Sequence, residues 1–182
     1  MSQLEKVKVA FLASEADPLV KVGGLGDVAG SLPRALNALD PAHTNGRGLD
    51  VRLFIPFHGM LRQKITPHKV DEFFISTTTG PISAEVHQIE LNGVITYLVG
   101  GAPFSETDAV YTADNRIDGE KYTFFTVAVL LFLQRSRWKP DIFHANDWHT
   151  AAGVYLLAKK RKQTAFFKHT RTVLCVHNLP YM

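Results

Sequence analysis

The sequence predicts an α/β protein with a Rossmann-like, mostly parallel sheet, helices on both faces and an antiparallel hairpin insertion. Three observations point to this fold class. Short apolar runs alternate with helical stretches, an Asn92-Gly93 pair joins two of the runs, and polar groups follow the ends of three runs. Strands that alternate with helices at this spacing are typical of βαβ units and hence of a parallel sheet.

The first part of the chain predicts two strands with a helix between them. Residues 7–13 are almost entirely apolar and predict a buried strand. Apolar side chains then recur at helical spacing over 28–39, after a glycine-rich segment. Residues 51–56 predict the second strand.

The middle of the chain predicts three further strands, over 73–78, 84–91 and 94–99. Asn92-Gly93 between the last two is a strong hairpin signal, because both residues tolerate the positive φ angles of a tight turn. We therefore expect this part to be antiparallel and to lie at one edge of the sheet.

The last part returns to the alternating pattern. Residues 122–133 are apolar nearly all round, which indicates a buried helix. A short strand over 141–145, a helix over 151–162 with a basic end, and a strand over 172–177 follow. These elements complete the predicted parallel sheet.

The composition is that of an ordinary soluble domain, with 46% hydrophobic residues and a formal net charge of +3. So small a charge does not indicate a nucleic-acid partner, and the basic run 159–162 has no interleaved aromatic residues. The longest apolar stretch, 124–133, is shorter than the roughly 20 residues that span a bilayer, so we expect no membrane partner. The single Cys175 and the lack of a signal-peptide pattern favour a cytoplasmic location.

Polar residues gather where three predicted strands end. The groups are the segment 21–27, the run 146–149, and His177-Asn178. Ligands of open α/β sheets bind beyond the carboxyl ends of the strands. Groups of this kind at one rim of a sheet therefore predict a binding site.

The segment 21–33 holds four glycines, Lys21 and Asp27. Glycines let backbone N–H groups approach an anion, and a nearby lysine adds a cation, which suits a phosphorylated ligand. The alternative is a loop that merely turns, with Asp27 as a favourable charge at a helix N-terminus. A dinucleotide fingerprint is disfavoured because the first glycine, Gly23, lies well beyond the strand end and no acidic residue follows the second strand.

The other two groups also allow more than one interpretation. Asp147 can orient a sugar hydroxyl or accept a proton and Trp148 can stack on a sugar ring, or else Asp147 caps a helix and Trp148 belongs to the core. His177 can lie at the reacting carbon or be a satisfied structural group. The spacing of the histidines matches no standard zinc pattern, so no metal site is predicted.

Three motifs, in this order, resemble bacterial glycogen synthases and plant starch synthases over essentially the whole chain. They are the Lys-Val-Gly-Gly-Leu-Gly-Asp-Val motif of 21–28, Asp-Ile-Phe-His-Ala-Asn-Asp-Trp-His of 141–149, and Val-His-Asn-Leu-Pro-Tyr of 176–181. The loop 13–18 and the strand 51–56 also fit that family. The resemblance implies the GT-B architecture, in which two Rossmann-like domains flank a cleft, and the transfer of glucose from ADP-glucose to an α-1,4-glucan with retention of configuration.

The resemblance also implies roles for single residues. Asp147 and His177 are the catalytic candidates. Lys21 is expected at the nucleotide diphosphate, and Gly23 and Gly24 are expected to bring amides near the phosphates or the glucosyl unit. The remaining substrate-binding candidates are Asp27, Trp148, His149 and Asn178. No cofactor is implied, since ADP-glucose is the donor substrate.

Residues 1–182 are interpreted as a single, incomplete N-terminal, acceptor-side domain. In the family a C-terminal domain holds most of the donor nucleotide, and the segment 100–119 here is short by comparison. We therefore expect no glucosyl transfer by the isolated chain. The alternative function is a non-catalytic glucan- or nucleotide-binding module built on the same half-fold.

Overall fold

A computed structural model describes residues 5–105 and 109–178. The strands are β1 (Lys6–Leu12), β2 (Gly48–Pro56), β3 (His68–Thr77), β4 (Gly80–Leu91), β5 (Val94–Gly101), β6 (Ile142–Asn146) and β7 (Arg171–Cys175). The α-helices are α1 (Gly24–Asn37), α2 (Gly59–Arg62), α3 (Ala102–Ser105), α4 (Asn115–Arg135) and α5 (Trp148–Gln163). Two short 3₁₀ helices cover Pro41–Thr44 and Ala165–Phe167.

The strands form one seven-stranded sheet in the order β3-β4-β5-β2-β1-β6-β7. The five strands from β5 to β7 in this order run parallel, and Leu12 at the end of β1 lies beside Phe54 of β2 and Ala145 of β6. Their carboxyl ends consequently meet at one rim. The predicted α/β class with a mostly parallel sheet is confirmed.

The hairpin prediction is confirmed, but one detail of the antiparallel part was wrong. Asn92 and Gly93 join β4 to β5 with φ angles of 51° and 79°. However, β5 also pairs in parallel with β2, so it belongs to the parallel set. Among the described strands, β4 runs against the five parallel strands, and β3, antiparallel to β4, returns to their direction; the two form an edge extension.

Alternate side chains of the sheet build two cores, one on each face. Leu12 and Phe54 pack with α4 and α5 on one face. Phe11 and Leu53 pack with α1 and α2 on the other. Helices therefore cover both faces, as the sequence predicted.

Helix α1 begins at Gly24, and α4 and α5 also begin earlier than the apolar pattern indicated. Helix α4 starts at Asn115 because the Asp114 carboxylate caps it, accepting a hydrogen bond of 2.8 Å from the amide of Arg116. Helix α5 starts at Trp148, directly after β6. Both starts matter for the site, since the first turns of these helices lie at the rim where the parallel strands end.

Candidate functional site

A cleft of about 650 Å³ opens beyond the carboxyl ends of β1, β6 and β7. Loops that follow these strands, together with the first turns of three helices, provide its walls. Its lining residues are Glu15, Val22, Gly23, Gly24, Leu25, Tyr111, Thr112, Asp118, Asp147, Trp148, His149, His177 and Asn178.

Seven of the nine candidate residues from the sequence thus line one cleft, and two do not. Lys21 and Asp27 form an ion pair of 2.6 Å beside it, with both side chains largely exposed. The hydrogen bond from Lys21 to Asp27 raises the pKa of the lysine, which keeps it cationic. The role of each candidate in binding or catalysis stays a prediction.

The glycines of the segment 21–33 serve two different purposes. Alanine at position 30 would collide with the backbone of Asp17, with its Cβ only 3.1 Å from the Asp17 carbonyl carbon. At position 26 a Cβ would lie 3.2 Å from the Glu15 carboxylate. These two glycines therefore let helix α1 pack against the loop that follows β1. Only Gly24 has open space around it, on the cleft side.

The first turns of α1 and α5 face the cleft. Gly24 and Leu25 begin α1, and Trp148 and His149 begin α5. Amides of a first turn have no carbonyl partner within their own helix, and the helix dipole adds a partial positive charge there. Two such ends at one cleft favour an anionic ligand.

Asp147 joins β6 to α5 in a conformation that is rare for any residue except glycine, with φ 56° and ψ −179°. A residue held there costs about 1–3 kcal/mol, so the surrounding structure must impose it. Its side chain makes no capping hydrogen bond to α5. Instead its carboxylate accepts hydrogen bonds from the amides of His177 at 2.6 Å and Asn178 at 3.2 Å. Asp147 therefore fixes the segment after β7 against the cleft.

His177 is oriented by Asn146, which the sequence placed in the polar run 146–149 without assigning it a role. The buried Asn146 amide nitrogen donates to the Leu12 carbonyl at 2.9 Å. Its amide oxygen is then left to accept from His177 Nε2, also at 2.9 Å. The hydrogen bonds of Asn146 thereby fix the orientation of the His177 ring, with Nε2 as the donor.

His149 and the neighbouring rings form an aromatic wall. The His149 ring lies 4.6 Å from Tyr111 and 4.1 Å from Trp148, in near-stacked arrangements. His149 is 7% exposed, and its Nδ1 has no hydrogen-bond partner among the described residues. Burial lowers the pKa of His149 to about 4, so its ring is neutral at pH 7. Trp148 is half-buried and belongs both to the core and to the cleft lining.

The loop before α4 holds Tyr111 in place through a buried ion pair. Lys121 and Asp118 are almost fully buried and lie 3.2 Å apart. The lysine donates to the carbonyl of Val110 at 2.8 Å, and the Asp118 carboxylate accepts from the amide of Thr112 at 2.9 Å. The buried Lys121 and Asp118 of α4 thus hold Val110 and Thr112, the residues on either side of Tyr111.

Sequence reasoning did not name six cleft residues as candidates: Val22 and Leu25 within the glycine-rich motif, and Glu15, Tyr111, Thr112 and Asp118 outside the three motifs. The loop 13–18 was noted for its family resemblance, and the segment 100–119 for its short length and for the place near the cleft that the resemblance implies. A buried carboxylate such as Glu15 has no local sequence signal, because its partner Tyr111 is 96 positions away.

The histidines do not converge on a metal site. His144 contacts Cys175 Sγ at 3.1 Å on the α1 side of the sheet, whereas His149 packs among aromatic rings. Within residues 5–105 and 109–178, no group of three or more potential ligands could hold a metal ion. In the same ranges, no helix is long and apolar enough to span a bilayer.

A cleft at the rim of a mostly parallel sheet, with helix N-termini facing it, defines the class of this protein as a Rossmann-like α/β domain. Comparison with known proteins names the family. The family described as "Starch synthase catalytic domain" matches residues 8–182. The chain therefore belongs to the glycogen and starch synthase family.

Single relatives agree with this assignment. The chain is 32% identical to the glycogen synthase of Aeromonas salmonicida over 98% of its own length and 36% of the relative's. It is 37% identical to that of Clostridium kluyveri, with coverage of 95% and 35%. The chain thus spans about a third of the length of these relatives.

A solved structure shows the same fold. The catalytic domain of starch synthase IV from Arabidopsis thaliana, bound to ADP and acarbose, matches with a TM-score of 0.71. The match covers 99% of this chain and 35% of that chain, at 23% sequence identity. The fold is therefore that of one part of a starch synthase catalytic domain.

Proposed function

We propose that this chain forms the acceptor-side wall of a glucosyltransferase cleft, in which glucose moves from ADP-glucose to the non-reducing end of an α-1,4-glucan. The observation that carries the proposal is the convergence of the motifs 21–28, 141–149 and 176–178 on one cleft, in a member of the glycogen and starch synthase family. Family membership favours this function over a non-catalytic binding module. No resident cofactor is proposed.

The glycine-rich side of the cleft suits the diphosphate. When the glycosidic bond of a nucleotide sugar breaks, negative charge develops on the leaving diphosphate, and preorganised donors lower the barrier. The first-turn amides of Gly24 and Leu25 supply such donors. Lys21 is an exposed cation beside them, and a bound phosphate would compete with Asp27 for its ammonium group.

The part of the cleft formed by the segments that follow β6 and β7 suits the sugar. Asp147 and His177 are held together by the hydrogen bond from the His177 amide, and both line the cleft. Asn178 lies beside them, and Trp148 offers a partly exposed ring face. Carboxylate, imidazole and amide groups bind sugar hydroxyls, and aromatic faces pack against sugar rings. We therefore assign the glucosyl unit and the glucan end to this side.

A titration of the ¹⁵N-labelled 182-residue chain with ADP and, separately, with maltohexaose tests this division. We expect ADP to shift the amide resonances of Gly24 and Leu25, and maltohexaose to shift those of Trp148 and Asn178, because the two pairs line the cleft from different elements, the start of α1 and the segments that follow β6 and β7.

Ser31 and Arg34 provide internal controls, since they lie on a separate groove along α1. Their resonances should stay unchanged in both titrations. Shifts centred on that groove, or an absence of shifts at all four cleft residues at millimolar ligand, would contradict the proposed function.

A further inference from the structure

Glu15, in the loop that follows β1, is a buried carboxylate that lines the cleft, with 2% of its surface exposed. Its two oxygens have different partners. Oε2 accepts hydrogen bonds from the amides of Val22 and Gly23, the latter at 3.1 Å. Oε1 accepts a hydrogen bond of 3.0 Å from the Tyr111 hydroxyl.

These partners belong to two segments that are far apart in sequence and both line the cleft. The Tyr111 hydroxyl also lies 2.7 Å from Ser14 Oγ, and its ring stacks on His149. Glu15 therefore joins the glycine-rich segment to the aromatic wall.

Because Glu15 accepts hydrogen bonds from two amides of the glycine-rich segment, only the other amides there can donate to a ligand. Val22 and Gly23 donate to the carboxylate, and the Gly26 amide donates to the Gly23 carbonyl at 3.2 Å. Gly24 and Leu25 lie between them, face the cleft, and have no carbonyl partner within α1. A carboxylate beside an anion site repels the anion, so a structural role is needed to explain why Glu15 lies there.

We propose that Glu15 is a positioning residue that holds the amides of Val22 and Gly23 and the Tyr111 hydroxyl, and thereby presents the amides of Gly24 and Leu25 to the phosphates of the ligand. This inference rests on the proposed function for the identity of the ligand. The hydrogen bonds that Glu15 accepts from Val22, Gly23 and Tyr111 are independent of the ligand's identity.

Two substitutions separate the geometry of Glu15 from its charge. Glu15→Gln keeps one carbonyl oxygen for the two amides and places its nitrogen beside the Tyr111 hydroxyl, which can accept. Glu15→Ala removes every acceptor. Both remove the negative charge. If Glu15 only repels the anion, both variants bind ADP more tightly than the wild type.

We expect the two variants to differ instead. In the 182-residue chain, Glu15→Gln should bind ADP at least as tightly as the wild type, and Glu15→Ala about tenfold more weakly despite its lost charge, a change of about 1.4 kcal/mol. Asp71→Asn is the matched control. Asp71 is also a carboxylate with several hydrogen bonds, which it accepts from Nε and Nη2 of Arg135, but it lies on β3 outside the cleft.

Amide hydrogen exchange supplies the readout that needs no ligand. The amides of Val22 and Gly23 should be protected in the wild type, in Glu15→Gln and in Asp71→Asn, and unprotected in Glu15→Ala, with protection of the β1 amides unchanged in all four. Equal ADP affinity of the Ala and Gln variants, or continued protection in Glu15→Ala, overturns the proposal. If the wild type binds no ADP, these amides do not serve the nucleotide in this chain, and the exchange data alone decide whether Glu15 positions the amides of Val22 and Gly23.

Discussion

Replacement of Gly30 by alanine should lower the free energy of unfolding by about 2 kcal/mol, within the range of overpacking substitutions. Alanine normally stabilises a helix interior relative to glycine. Here, however, its Cβ would collide with the backbone of Asp17, which cannot rotate away as a side chain can. The loop after β1 would have to move off α1. Urea unfolding measures the loss.

Gly119→Ala is the matched control, because Gly119 also lies within a helix but has nothing within 4 Å of its added Cβ. This variant should be more stable than the wild type by about 0.5–1 kcal/mol. If Gly30→Ala were as stable as Gly119→Ala, the loop would not pack on α1 in the way described, and the cleft wall that it forms would be in doubt.

Acid should destabilise the fold well before its carboxylates are protonated. Burial lowers the pKa of His58 and of His149 to about 4, against the ordinary value of 6.5. Burial also lowers the pKa of His144. The unfolded chain therefore binds protons at these three histidines below pH 6.5, whereas His58 and His149 of the folded chain bind theirs only near pH 4. Stability is full well above pH 6.5 and falls through this window, by about 2 kcal/mol at pH 5 for each of His58 and His149.

Urea unfolding at pH 7.5 and pH 5.0 measures this difference. The comparison stops at pH 5 because carboxylates such as Asp71, whose pKa is lowered by its hydrogen bonds from Arg135, titrate below it. His58→Gln should reduce the loss of stability between pH 7.5 and pH 5.0 by about 2 kcal/mol. His68→Gln, at an exposed position of β3, should leave it as in the wild type. Equal pH dependence in both variants would show that His58 takes up its proton in the folded state.

The elements that the sequence predicted well are those that local chemistry decides. The short apolar run 7–13 favours burial as a strand, and Asn92-Gly93 tolerates the backbone angles of a tight hairpin. Features that depend on distant partners were harder. The direction of β5 relative to its neighbours is set by its pairing with β2, about 40 residues earlier, and no pattern within 94–101 encodes that.

The candidate site shows the same division. Motif order led to Asp147 and His177, which the structure brings together at the cleft. The sequence alone could not choose between a capping and a binding role for Asp147, because the choice depends on the backbone angle that directs its side chain. Glycine content indicated an anion loop, yet Gly26 and Gly30 pack against a neighbouring loop instead. The sequence does not show whether a glycine leaves space for a ligand or for a neighbouring segment of the protein.

Glucosyl transfer by a chimera tests the central claim most directly. This chain would replace the corresponding third of the Clostridium kluyveri glycogen synthase, and transfer from ADP-glucose to glycogen would be measured. The account predicts an active chimera in which Lys21→Ala lowers kcat about a hundredfold, in line with the removal of a transition-state charge partner. Lys64→Ala, at an exposed lysine outside the cleft, should stay within about twofold. A folded chimera without transfer, or one in which Lys21→Ala is as active as Lys64→Ala, would contradict the account.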